Sequence, residues 1–244
     1  MACRWFLRII LVICLLVFGN LKPALRTASA VPTKYDLGSG GMPTMSGNFG
    51  GSVTANASVL SDLVVTIDFG ELSPANKNGL GSVPVVKVVV PVAIRSTAAY
   101  QVTVSVSPSG ALSGDANAVQ LGDIGFGVRN LRPLGAHSTA CGGNSTIVNP
   151  FNNDPAQSAT INSATARAAY PSTVSTLGSS SVVLFGPTLS IFTNVPDFKR
   201  DLDNGWVFDA IFTIAPGYYS SGSFGPVVLT FNIGPATTCT CPCN

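Results

Sequence analysis

With 244 residues, 46% of them hydrophobic and 10% charged, the chain has material for one ordinary core. Its formal net charge of +2 depends on Arg4, Arg8, Lys22 and Arg26, all within the first 30 residues. Setting those four of the 13 basic residues aside leaves nine against 11 acids, a net of −2 over the remaining 214 residues. That balance excludes a basic phosphate-binding face, and with it a nucleic-acid partner.

Residues 1–30 read as a signal peptide. Arg4 and Arg8 precede the apolar run "IILVICLLVFG", 11 residues long, and Ala28 and Ala30 supply the small residues of a cleavage site before Val31. A spanning helix takes roughly 20 apolar residues, so the run is too short for an anchor. Lys22 and Arg26 lie between the run and the cleavage site. They keep open the alternative of an uncleaved, membrane-tethered N-terminus, the one membrane contact expected. The localisation expected is secreted, extracellular or cell-surface.

Residues 31–57, with "DLGSGGMPTMSGNFGGSVTANAS", read as a Gly/Ser-rich flexible arm, mobile or ordered only against a partner. Residues 58–234 read as an antiparallel β-sandwich domain. The first strand candidate is 61–69. In "VPVVKVVVPV" one apolar face carries Val86, Val88, Val90 and Val92, while Pro84, Lys87 and Pro91 interrupt the other, predicting an edge strand or a strand near a bulge. In "AYQVTVSVS" Tyr100, Val102, Val104 and Val106 alternate with polar residues, the period of a half-buried strand. Further strands are expected at 119–128, 145–149 and 181–193, and one short helix around "SATARAAY". "WVFDAIFTI" and "VVLTFNI" read as late core strands linked by a long hairpin through "APGYYSSGSFGP". "SPANKNG", "NPFNNDP" and "DLDNG" supply turn chemistry between strands. Almost no helical period occurs, so the fold class expected is all-β. Phe-Gly pairs at 49–50, 69–70, 126–127, 185–186 and 224–225 suit strand ends, where Phe plugs a core and Gly lets the chain turn.

The catalytic inventory is poor. His137 is the only histidine and Glu71 the only glutamate. No G-x-S-x-G elbow and no second His for a metalloprotease motif occur, so no enzyme and no cofactor are expected. Asp201 and Asp203 in "PDFKRDLDNGW" resemble the first two ligands of a calcium loop, but Gly205 fills the third place; a polar turn accounts for them equally. Trp206, Tyr218 and Tyr219 form a candidate stacking platform for a carbohydrate, set against ordinary core or hairpin packing.

The tail 235–244 is Cys-rich. After signal removal the cysteines are Cys141, Cys239, Cys241 and Cys243. Exported thiols tend to pair, and four allow three full pairings. The staple expected joins Cys141 to one tail cysteine, leaving the others to pair across Pro242 or between molecules. A tetrahedral sulfur site with Cys141 or His137 is the alternative, although zinc motifs usually come as two spaced pairs. Asn56-Ala-Ser58 and Asn144-Ser-Thr146 fit the N-glycosylation pattern, relevant only in a eukaryotic secretory route.

"VVTIDFGELSP" followed by "VVKVVVPVAIRSTAAYQVTVSVS" resembles the early strands of bacterial fimbrial (pilin-like) and spore-coat-U-like secreted domains, and "PGYYSSGSFGPVVLTFNI" is similar to their last hairpin. The resemblance covers roughly residues 60–107 and 206–233. It implies an immunoglobulin-like β-sandwich with a structural or adhesive role at the cell surface, partnered by copies of itself or other surface subunits. In pilins one chain's extended arm completes a neighbour's sheet, a part open to residues 31–57. This chain departs from the pattern by running on past Ile233 and by lacking any Cys between 31 and 140. The alternative reading is a secreted carbohydrate- or small-ligand-binding β-sandwich module.

Overall fold

Alternating apolar residues give this chain 13 strands and one helix among the described residues of a computed structural model. Those residues are 35–47, 50–59, 61–70, 85–96, 98–108, 117–134, 145–186, 205–215, 217, 219 and 225–236. In chain order the strands are β1 (Tyr35–Ser39), β2 (Thr44–Ser46), β3 (Ser52–Val59), β4 (Asp62–Asp68), β5 (Val86–Ser96), β6 (Tyr100–Pro108), β7 (Ile124–Leu134) and β8 (Thr146–Ile147). The single α-helical turn, α1 (Pro155–Ser158), precedes β9 (Thr160–Ile161), β10 (Ala168–Ala169), β11 (Ser181–Gly186), β12 (Gly205–Ile214) and β13 (Val227–Pro235).

Two antiparallel sheets share one apolar core. The first runs β1-β5-β12-β7, with β2 also on β5; the second runs β3-β4-β13-β6-β11-β8. Leu63, Val65 and Ile67 on β4, Val88, Val90 and Val92 on β5 and Val102 and Val104 on β6 are all buried, as period two requires. Phe208 of the first sheet meets Phe231 of the second at 6.2 Å between ring centroids, and Phe126 meets Phe212 at 5.3 Å. A buried Phe contributes on the order of 1.5–3 kcal/mol through lost apolar hydration, so these rings supply a large part of the core.

Three expectations change. Residues 35–39, 44–46 and 52–57, read as part of a flexible arm, form strands at both sheets' edges: β1 and β2 lie in turn along β5, and β3 lies along β4. Leu37 anchors the arm in the core. The consequence falls on β5, which is an interior strand rather than an edge. Its Pro91 is tolerated because its carbonyl, and so its missing N–H, faces the gap between β1 and β2, where the Gly40 N–H donates to Pro91 O at 2.8 Å. Secondly, β12 and β13 are no hairpin. β12 pairs with β5 and β7, β13 with β4 and β6, so the connection passes from one sheet to the other. Thirdly, "SATARAAY" is a turn followed by β10. Asn162 Oδ1 accepts from the Ala164 and Thr165 amides, and Ala166 has φ 54°, which ends any helix there.

Candidate functional site

The outer face of the first sheet is where polar chemistry collects. β12 is buried along its whole length: Trp206, Phe208, Ala210, Phe212 and Ile214 point into the core, while Val207, Asp209, Ile211 and Thr213 are covered from outside. Part of the cover is the excursion 148–180 between β8 and β11, which sets Tyr170 beside Thr213 and α1 on β12, and Gly40 of the arm packs over Val207. The excursion can lie flat because β7 presents Gly125 and Gly127 outward. A Cβ on Gly125 would stand 2.6 Å from the Tyr170 ring, and one on Gly127 2.2 Å from the Asn153 carbonyl oxygen. The excursion also completes the free edge of β7: the Phe126 amide donates to Ser172 O and the Val128 amide to Phe151 O, at 3.0 and 2.7 Å. Phe151 turns inward against Phe126 at 5.6 Å.

A bulge then brings cations to this face. Val207 pairs with Arg132 and Asp209 with Arg129, so Asn130 and Leu131 together oppose Phe208. Leu131 packs on the core. Strict alternation would have aimed Asn130 and Arg132 inward; the extra residue turns both outward beside Arg129. Asn130 takes φ 55°, a left-handed conformation that Asn accepts better than most residues. Its Nδ2 donates to Asp209 Oδ2 at 2.8 Å, and Arg132 NH1 donates to Asp209 Oδ1 at 2.9 Å. Asp209 is thus a buried carboxylate held by one amide and one guanidinium.

Between β5, β7 and α1 the surface opens into a polar cleft of about 430 Å³, lined by Lys87, Arg129, Asn130, Asp154 and Gln157. Asp154 is the N-cap of α1, accepting from the Ala156 amide at 3.0 Å, with Pro155 at the first helical position. Its second oxygen pairs with Lys87 Nζ at 2.6 Å. Arg129 donates to Asn152 Oδ1, a neutral acceptor, at 3.2 Å. These are ion-pairing and hydrogen-bonding groups. They include no nucleophile with an adjacent base, and the described residues hold no cluster of three or more His, Cys, Asp or Glu side chains suited to a metal.

Under the excursion lies a second polar layer. The Arg167 guanidinium sits 4.4 Å from the Tyr219 ring centroid, a cation–π contact, and Tyr219 OH donates to Ala215 O at 3.3 Å. Burial pushes the Tyr170 phenol up to about 12, and burial with the nearby Asp123 carboxylate pushes that of Tyr219 up as well.

The residues singled out from sequence fare differently. Trp206 is 9% exposed and belongs to the core, so it offers no stacking face. Tyr219 is half-buried under Arg167. Tyr218, Asp201, Asp203, His137, Cys141, Cys239, Cys241 and Cys243 lie outside the described residues. The cleft residues were not foreseen. Their one sequence signal is "RNLR" at 129–132, continuing an apolar strand where alternation alone would stop it. No family model matches the chain, and no curated protein or solved structure matches it either.

Proposed function

We propose that this chain is an exported, non-catalytic structural or adhesive subunit, an immunoglobulin-like β-sandwich at the cell surface that joins copies of itself. The observation carrying this reading is the outer strand β2. Among the described residues it pairs with β5 alone; it carries Met45, 48% exposed, with Met42, 87% exposed, two residues before its start, and these are the only exposed large hydrophobics among the described residues. An open strand edge presents unpaired backbone donors and acceptors, and apolar side chains beside it favour pairing with another chain. Leu37 holds the same arm in its own core, so the edge is presented on a fixed element.

The test is sedimentation velocity of the exported full chain over a range of concentrations, beside Met45→Lys. Lysine on an exposed edge opposes pairing, and Met45 is 48% exposed. The wild type associates as concentration rises, and M45K stays monomeric with the same unfolding midpoint. A wild type that is monomeric throughout, or an M45K variant that associates equally, refutes joining through β2. Non-reducing against reducing electrophoresis, with mass mapping, then shows whether Cys141 is linked to the tail or to another molecule.

A further inference from the structure

We propose that the cleft over β5, β7 and α1 is a binding site for a carboxylate-bearing sugar, a hexuronate unit, with Arg129 as its carboxylate anchor. The proposal does not depend on whether copies join through β2, although Ser46 of that strand pairs with Lys87 at the cleft; binding is read by titration and joining by sedimentation, so the two can fail separately.

Charge assigns the anchor. Lys87 is neutralised by Asp154 at 2.6 Å, and Arg132 by Asp209 at 2.9 Å. Arg129 has no carboxylate partner among the described residues; its side chain donates to the Asn152 amide oxygen. The cleft therefore carries one uncompensated positive charge, on a planar fork whose geometry matches a carboxylate in bidentate fashion. The bulge strengthens the assignment. It holds Asn130 in a left-handed conformation and places Arg129, Asn130 and Arg132 on one face, where regular pairing would have sent two of the three into the core.

Size and lining choose the rest of the ligand. A volume of about 430 Å³ falls in the range of small-molecule sites, well above what a lone inorganic anion fills. Among the described residues the lining has no aromatic or aliphatic side chain. It offers groups that pair with hydroxyls: the Lys87 ammonium, which has donors left after Asp154, the Asp154 carboxylate, the Gln157 amide and the Asn130 amide oxygen. One anionic group beside several neutral hydroxyls is the pattern of a uronic acid. It fits neither an apolar metabolite nor a highly charged phosphate ester.

The test is isothermal titration of the purified full chain with glucuronate, galacturonate, glucose, acetate and an oligogalacturonate. Both hexuronates bind, glucose gives no heat, and acetate is at least about tenfold weaker because it makes only the Arg129 contact. Arg129→Gln weakens hexuronate binding at least about tenfold, and its exposed position leaves the unfolding midpoint unchanged. Gln157→Ala weakens it by a smaller factor, as the loss of one neutral hydrogen bond. Tighter binding of the oligomer per unit identifies an acidic polysaccharide as the source, and equal binding a free sugar. No heat with either hexuronate, glucose binding as well as glucuronate, acetate binding as tightly, or R129Q binding unchanged would each overturn the proposal.

Discussion

Two glycines decide how the excursion lies on the sheet, and they are not equivalent. The obstacle to a Cβ on Gly125 is the Tyr170 ring with Thr213 Oγ1 at 2.7 Å, side-chain atoms able to move together. The obstacle at Gly127 is the Asn153 backbone carbonyl, fixed by the turn that Asn153 Nδ2 makes with Pro150 O at 2.7 Å. Overpacking typically costs about 1–3 kcal/mol, and more where nothing can give way. Gly127→Ala is therefore expected to cost more stability than Gly125→Ala, with both below wild type in urea unfolding. Equal costs would mean that the excursion moves as a body. The Phe126-Gly127 pair was visible in the sequence, but only as strand-end punctuation. What makes its glycine necessary is a chain segment more than 20 residues away, which no local pattern announces.

At the scale of elements, the same contrast separates what was readable from what was not. The alternations of β5, β6, β12 and β13 identified their core residues directly, because a sheet with one buried face imposes period two. β12 was readable only on that face. Its Asp209 and Thr213 look like solvent residues in sequence, yet both are buried, because the cover comes from elsewhere in the chain. The arm was misread because Gly, Ser and Thr bury little; its order comes from backbone pairing to β5 and β4, which composition does not register. β7 was expected to stop at residue 128, since "RN" breaks the apolar pattern, and it continues through the bulge to Leu134. Asp209 holds that bulge. Asp209→Ala strands the Asn130 amide and the Arg132 guanidinium beside a buried gap and should cost about 2–3 kcal/mol. Arg132→Ala, whose side chain is nearly half exposed, should cost under about 1 kcal/mol. Urea unfolding of both variants checks the order, and a reversed order would mean that the bulge does not depend on the carboxylate.

Two largely buried phenols link the stability of the molecule to alkaline pH. Tyr170 and Tyr219 join the excursion to the first sheet: Tyr170 lies over Gly125 next to Thr213, and Tyr219 leaves the end of β12 to stack under Arg167. Burial is the main cause holding both phenols above their ordinary value of 10.0, and the Asp123 carboxylate adds to it; Arg167 opposes it at Tyr219 without reversing it. A raised folded-state value means that the neutral form is favoured by folding. The stabilisation is complete below pH 10, where both states hold the proton, and is lost as pH rises toward about 12, because the unfolded chain releases the proton first. For Tyr170 the loss amounts to about 2 kcal/mol by the linkage relation. Unfolding free energy should therefore fall through this window, with tyrosinate absorbance rising together with unfolding rather than before it. Tyr170→Phe should flatten the fall, and the Tyr170→Phe, Tyr219→Phe double variant should flatten it further. A double variant that loses stability in parallel with the wild type would place the alkaline weak point elsewhere in the chain.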